Sequence, residues 1–319
     1  MYDQNVSLIA DVGGTNARFA LVESGSLQPT QVVNLAVEDF PCIDDAIEAY
    51  LNQIGSDVPE RVCIAIACPT HLDMISMTNS GWKFSKSELQ AKFGFKTLSV
   101  INDYAAMAYA ASVLKSEQLI QVGEGAPIEG FPIAVLGAGT GLGVSGLVRS
   151  NGVAIPLVTE GGHVDFAPIN EQEIEILRWL MKRYSHVSAE RLVSGMGIQN
   201  IYQALGDIRD EPVERLKPAE ISHLAFEKRD QLALETLDQF CAIYGSVAGS
   251  LALSYGAQGG VYITGGIAPR MIDFFKQSSF RVRFEAKGRF DGYMASIPTY
   301  VMMADEPGLI GAAAALQSQ

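Results

Sequence analysis

Asp11-Val12-Gly13-Gly14-Thr15-Asn16 follows the apolar run Val6–Ala10 and leads into a second apolar run, Ala17–Val22. Far along the chain, Gly137-Ala138-Gly139-Thr140-Gly141-Leu142-Gly143 stands in the same way between Pro132–Leu136 and Val144–Val148. Strand, glycine-threonine turn, strand occurs twice. A tight hairpin explains either turn alone, but the pair suggests a duplicated fold that grips one polyphosphate from both sides. Glycine has no Cβ, so its backbone can approach an anion closely. Thr15 and Asn16 add donors. Asp11, at the strand end, can hold Mg²⁺ through water, because Mg²⁺ keeps most of its waters.

The second turn carries a decoy. Gly141-x-Gly143-x-x-Gly146 with Glu160 downstream fits a dinucleotide fingerprint, which requires a helix opening at the glycines. Val144–Val158 is β-branched and turns at Asn151-Gly152, a pair that favours a type I′ hairpin. A nicotinamide or flavin site is therefore not expected. No Gly-x4-Gly-Lys-Ser/Thr occurs, which excludes a Walker loop.

Three antiparallel strands are expected at 6–11, 17–23 and 31–36, and a helix over 42–54 from the spacing of Ile43, Ala46, Ile47, Tyr50, Leu51 and Ile54. A buried strand follows at Val62–Ala67. Ser85-x-x-Glu88 opens a helix to Phe93, Leu98–Ile101 is a strand, and an alanine-rich helix begins after Asn102-Asp103. The second part repeats the theme, with strands at 132–136, 143–149 and 152–158. Helices follow near 171–184, 189–205, 218–227 and 230–255. Then come a strand at 261–264, a helix after Pro269, a strand at 299–303 and a last helix over 308–316. No long linker divides the halves, so two α/β domains joined by a hinge are expected. Their boundaries are placed at 1–112 plus 302–319 and at 113–301.

The 319 residues include 48% hydrophobic and 18% charged side chains, within the range of soluble globular proteins. A net charge of -13 argues against nucleic acid or an anionic membrane as the main partner. Asp3 stands where a signal peptide would have basic residues, so no leader and a cytoplasmic location are expected. Gln239–Pro269 has no charge, yet its glycines and serines divide it into a buried helix, a turn and the strand Val261–Thr264. Cys42, Cys63, Cys68 and Cys241 lack metal-type spacing, and Cys63 and Cys68 read as small core residues.

Three polar clusters remain. Asn102-Asp103 lies at a strand's carboxyl end, where open sheets place ligands. The aspartate can accept a hydroxyl proton, and both residues also serve as helix N-caps. Glu160-Gly161-Gly162-His163 lets a carboxylate and an imidazole aim at one small ligand. Glu-x-x-His on a helix is a metal pattern, but the two glycines argue against a helix and favour hydrogen bonding to a polyol. Glu190 opens the next helical stretch beside His186, with Ser188 as its cap, and His186 reads as a solvated helix end. Gly265-Gly266 offers another close backbone approach, for a purine or ribose, or simply a tight strand-to-helix connection.

Asp11–Arg18, Met77-Thr78-Asn79, Ile101–Asp103, Gly137–Gly143, Glu160–Pro168, Ser188–Arg191, Gly265–Ile267 and Lys287–Phe290 together resemble, in order, the bacterial-type glucokinases of the sugar kinase, heat-shock ATPase and actin superfamily. The resemblance implies two ribonuclease-H-like, actin-like ATPase domains with an interdomain cleft, and a C-terminal helix returning to the first domain. It implies ATP-dependent phosphorylation of D-glucose at O6 with Mg²⁺, and a homodimer. Asp103 would be the general base. Asn102, Asp103, Glu160, His163 and Glu190 would bind glucose. Gly13, Gly14, Thr15, Asn16, Gly137, Ala138, Gly139 and Thr140 would hold phosphates, with Asp11 near Mg²⁺ and Gly265 and Gly266 near adenosine. Met196 stands where the family usually has proline.

Rival readings are a kinase for another hexose, a sugar-binding transcription regulator, and a chaperone-like ATPase. The acidic charge and the lack of room for a DNA-reading helix pair speak against the regulator. The Asn-Asp and Glu-Gly-Gly-His clusters have no use in the chaperone-like ATPase.

Overall fold

A computed structural model describes residues 6–77, 81–211 and 213–318. Thr78 and Asn79 of the sequence motif, and Asp3, lie outside the described residues. The chain forms two compact units. The first comprises 1–115, 149–158 and 304–319; the second comprises 116–148 and 159–303.

The first unit opens with β1 (Val6–Val12), β2 (Asn16–Glu23), β3 (Thr30–Ala36), α1 (Ile43–Ile54) and β4 (Arg61–Ile66). It continues with β5 (Met74–Ser76), β6 (Lys83–Ser85), α2 (Lys86–Phe93), β7 (Thr97–Asn102) and α3 (Asp103–Ala111). The main sheet has the order β3-β2-β1-β4-β7. β1 to β3 are antiparallel, whereas β4 and β7 run parallel to β1. Side chains alternate between the faces as the pleat requires. Leu8, Ala10, Val12, Val62, Ile64 and Ile66 pack on the α1 side. Ile9, Ala20, Val22 and Cys63 pack on the other, against Leu309, Ala312 and Leu316 of the C-terminal helix Pro307–Gln317. That helix meets α3 closely enough that a Cβ on Gly311 would collide with the Ala106 carbonyl. Small residues on both helices therefore set the packing distance. Ser85 Oγ accepts the Glu88 amide as the α2 cap. The β5–β6 hairpin is too short for a periodic signal.

The second unit begins with β8 (Leu119–Val122), β9 (Ile133–Ala138) and β10 (Leu142–Ser150). The chain turns at Asn151-Gly152, returns as β11 (Val153–Val158) in the first unit, and re-enters. Then come α4 (Glu171–Met181), α5 (Gly195–Ile208), α6 (Pro218–Glu227), α7 (Gln231–Tyr255) and β12 (Val261–Thr264). The remainder is α8 (Ile267–Arg270), α9 (Ile272–Gln277), α10 (Phe280–Glu285), α11 (Asp291–Ser296), β13 (Thr299–Met302) and α12, the C-terminal helix already met. Within this unit the strand order is β10-β9-β12-β13-β8. The β10–β9 pair is antiparallel, and β12 and β13 run parallel to β9. This repeats β2-β1-β4-β7, so the duplication suggested by the glycine turns is a duplication of topology.

The uncharged stretch forms the core helix α7. Tyr244 makes edge contacts with Phe240, Phe275 and Phe280, and Gly245 and Gly249 let α10 approach. Among the described residues no helix is long and apolar enough to cross a membrane. The Cys63, Cys68 and Cys241 thiols are buried.

Three expectations need correction. The helix over 189–205 is a 3-10 turn, Ala189–Arg191, followed by α5. Ser188 makes no side-chain cap, whereas Ser194 Oγ accepts the Gly197 amide and starts α5. The helix expected after Pro269 is α9, and a further short helix, α8, precedes it from Ile267 and contains the proline, which is tolerated in a first turn whose N–H groups lack helical partners. Gly161–His163 forms a single 3-10 turn, a tighter local winding than glycine's poor helix propensity suggested.

Candidate functional site

The parallel strands of the first unit end in one row. Val12 pairs with Ile66, and Ile66 pairs with Asn102. Two strand spacings, about 10 Å, therefore separate the glycine turn after β1 from Asn102-Asp103 after β7. This is the carboxyl edge, where open sheets place ligands. At the turn, Gly13 N donates to Asn16 O at 2.9 Å and Val37 N to Thr15 O at 2.9 Å, which leaves the exposed Thr15 at the tip.

Asp11 sits directly opposite Arg18 across the hairpin. Arg18 Nη1 lies 3.6 Å from Asp11 Oδ2, and Arg18 Nε lies 3.0 Å from Glu306 Oε2. Glu306 caps α12 with a left-handed φ of 52°. Burial pushes the Asp11 carboxyl up to about 6, Arg18 pulls it back, and Glu306 adds to the rise. Arg18 and Glu306 belong to the site's surroundings, yet no sequence signal tied residue 306 to residue 11.

Asn102 is the N-cap of α3. Its Oδ1 accepts from Tyr104 N at 3.0 Å and Ala105 N at 3.3 Å. Asp103 Oδ1 accepts from Tyr104 N at 2.9 Å. The capping alternative is thus realised. Capping by Asn102 Oδ1 and the Asp103–Tyr104 bond are compatible with a further role for both residues. The Cys68 thiol, raised first by burial, is raised further by the nearby Asp103 charge.

In the second unit, β9 and β10 flank the turn, with Leu142 opposite Ala138 and Gly143 opposite Gly137. The dinucleotide fingerprint therefore lies on a hairpin, and Gly146 is required because a Cβ there would strike the Tyr255 ring and the Ile133 carbonyl. Gly139 N donates to Gly141 O at 2.9 Å, and Thr140 is exposed at the tip. A Cβ on Gly139 would meet no protein atom within 4 Å. Protein packing does not demand glycine there, whereas a closely approaching ligand would. The parallel neighbour β12 brings Gly265 to this turn at a φ of 79°, where a Cβ would collide with the Ala138 carbonyl. Gly266 is more open, with Arg270 its nearest neighbour.

Thr159 ties the Glu160 segment to β10. Its hydroxyl donates to Val144 O at 2.8 Å and accepts from Gly161 N at 3.2 Å. Gly162 packs on the Leu142 carbonyl, and Glu160 and His163 are exposed on either side. Glu190, on the adjoining 3-10 turn, accepts the Leu142 amide at 2.9 Å through Oε2. His186 is exposed and bonds Asp165 at 2.8 Å, so it lies outside the Glu160–His163–Glu190 group. A cavity of about 540 Å³ in this unit is lined by Glu160 together with Val144, Thr159, Phe166, Val247 and Tyr255.

Paired strand–turn–strand units, each with further parallel strands ending beside a glycine turn, define a sugar-kinase fold of the actin-like ATPase type. Comparison with known proteins carries this further. The glucokinase family model matches residues 8–319. The chain is 45% identical over 313 residues to a glucokinase of Hahella chejuensis, covering 98% of this chain and 97% of that one. It is 46% identical over 311 residues to a glucokinase of Salmonella typhi, covering 98% and 97%. The crystal structure of a glucokinase from an Antarctic psychrotroph superposes with a TM-score of 0.92 at 39% identity, covering 99% of each chain. The chain belongs to the glucokinase family.

Proposed function

We propose that this protein transfers the γ-phosphoryl group of ATP to O6 of D-glucose, giving glucose 6-phosphate for glycolysis. The observation that carries the proposal is the shared carboxyl edge of β1, β4 and β7 in a chain of this family. That edge sets the Asp11 turn and Asn102-Asp103 about 10 Å apart, two strand spacings. Positioning and charge stabilisation dominate phosphoryl transfer, so the protein needs little covalent chemistry.

Asp103 takes the proton from the attacking hydroxyl, a role worth about 10²–10⁴-fold by precedent. Asn102, Glu160, His163 and Glu190 bind the remaining sugar hydroxyls. Such a site rejects analogues lacking those hydroxyls, because its own polar groups would be left unpaired. The turns Gly13–Asn16 and Gly137–Thr140 hold the phosphates. Gly13 N and Gly139 N close their own turns, so the donors are drawn from Gly14, Thr15, Asn16 and the exposed Thr140. Gly265 and Gly266 lie near the adenosine.

Asp11 is the residue suited to Mg²⁺. Among the described residues no cluster of three or more His, Cys, Asp or Glu forms a metal cage. Mg²⁺ on a nucleotide needs only one or two carboxylates besides waters and phosphates. A largely buried carboxylate with a raised pKa, beside Glu306, fits that requirement. The ion, when bound, neutralises charge on the phosphates.

The four cysteines are free thiols, in keeping with a reducing cytoplasm. A homodimer is the assembly we expect, to be measured by sedimentation. A coupled assay of the purified protein across hexoses and across ATP, ADP and polyphosphate tests the function. Turnover with glucose and ATP well above every other pairing is expected, and a preference for another sugar or donor overturns the assignment.

A further inference from the structure

Leu142 is the first residue after the second glycine turn, and three groups converge on its peptide. Its N–H donates to Glu190 Oε2 at 2.9 Å. Its carbonyl packs on Gly162, where a Cβ could not fit. A Cβ on Gly141, one residue earlier, would meet the end of the same Glu190 carboxylate, which would have to shift. The Glu190 segment is itself braced. The Glu190 carbonyl accepts Ser194 Oγ at 2.7 Å, and Ser194 Oγ accepts Gly197 N at 3.0 Å. Gly195 N then donates to Gly139 O at 2.8 Å. Residues 190–195 thus grip the turn at two places, Gly139 O and Leu142 N–H, one on each side of the exposed Thr140.

We propose that Glu190 is a positioning residue for the phosphate-binding turn as well as a sugar ligand. One oxygen fixes the backbone of Gly141-Leu142 while the other reads a sugar hydroxyl. This rests on the assignment of Glu190 to the sugar site. A carboxylate has about four acceptor positions on two oxygens, so one group can serve both bonds. The two oxygens are rigidly linked, so a hydroxyl that fixes one fixes the plane of the other and, through it, the Leu142 amide. Gly162 under the Leu142 carbonyl ties the Glu160–His163 turn to the same peptide. Sugar and nucleotide then share a single rigid backbone unit, and whatever either does to the affinity of the other must be reciprocal.

The test is nucleotide binding without sugar, followed by calorimetry with Mg²⁺ and ADP for the parent, Glu190→Ala and Glu190→Gln. Loss of a hydrogen bond to a charged acceptor predicts that Glu190→Ala weakens ADP binding about tenfold. Glu190→Gln keeps an acceptor for Leu142 N–H and should bind ADP within about twofold of the parent, since that bond survives. Parental ADP affinity in Glu190→Ala overturns the proposal. So does a Glu190→Gln variant that loses ADP binding, and that arm decides if the alanine variant does not fold. Glucose titration of the same variants is read separately. Unchanged glucose affinity would remove Glu190 from the sugar site, while the ADP result would still judge its hold on the turn.

Discussion

Gly308 lies against Asp11 so closely that a Cβ on the glycine would stand 2.6 Å from the aspartate Cγ. The first turn of α12 therefore covers the carboxylate at the end of β1. That cover contributes to the burial that, with Glu306, raises its pKa to about 6 from 3.8.

The shift has a definite sign for stability. Below about pH 4 the carboxyl is protonated in both folded and unfolded chains and costs nothing. Between about 4 and 6 the folded chain holds the proton more tightly, so stability falls as pH rises, and above 6 the full cost remains. A shift of about two units corresponds to roughly 3 kcal/mol. Asp11→Asn should therefore be more stable than the parent by up to roughly that amount at pH 8, and by little at pH 4. Urea unfolding at both pH values measures this. Its turnover should collapse, and the parent's Mg²⁺-dependent turnover should fall as pH drops through about 6.

Asp103→Asn separates chemistry from architecture. The N-cap of α3 is Asn102, and an asparagine at 103 can still accept the Tyr104 amide through its Oδ1, so the thermal midpoint should hold while kcat falls about 10²–10⁴-fold. Glucose affinity should change little. Near-normal turnover would remove Asp103 as the base.

Gly139→Ala should fold as the parent does, because the added methyl meets no protein atom and the backbone is not in the left-handed region. A stability change within about 1 kcal/mol is expected. The KM for ATP should rise while that for glucose stays nearly constant. If steady-state kinetics show no change in the ATP KM, the turn does not touch the nucleotide.

His163→Ala should weaken glucose binding, measured by intrinsic fluorescence or calorimetry, without releasing metal. A stoichiometric metal lost on this substitution, seen by elemental analysis, would replace the hydroxyl-binding role with ligation.

Where periodicity and caps act locally, the sequence was a good guide. α6 and α7 lie within a residue of their expected bounds, because Pro218 and Asp230 mark their starts. Asn102's capping was foreseen from residue type alone. The break between Arg191 and Gly195 was not. The apolar spacing of Ala189, Leu192 and Val193 suits a helix, and only the Ser194 cap restarts it. The least legible feature was the surroundings of Asp11. Arg18 sits opposite Asp11 across a single hairpin, but Glu306 and Gly308 reach it only through the tertiary path of α12. Glu190's bond to Leu142 was hidden for the same reason, since a side-chain contact across 48 residues leaves no pattern in one sequence.

The return of α12 also bears on the order in which the molecule can assemble. Arg61 donates to the Leu316 carbonyl across 255 residues, and Ile9, Cys63 and Leu309 share one core. Loops of that length close slowly, because their entropy is lost before any contact rewards it. The second unit draws most of its core from the more contiguous stretch 159–303 and can consolidate first. Asp11 acquires its buried character only when α12 docks. Until α12 docks, Glu306 and Gly308 are not in place beside Asp11, so the surroundings of that carboxylate are completed by the last segment of the chain.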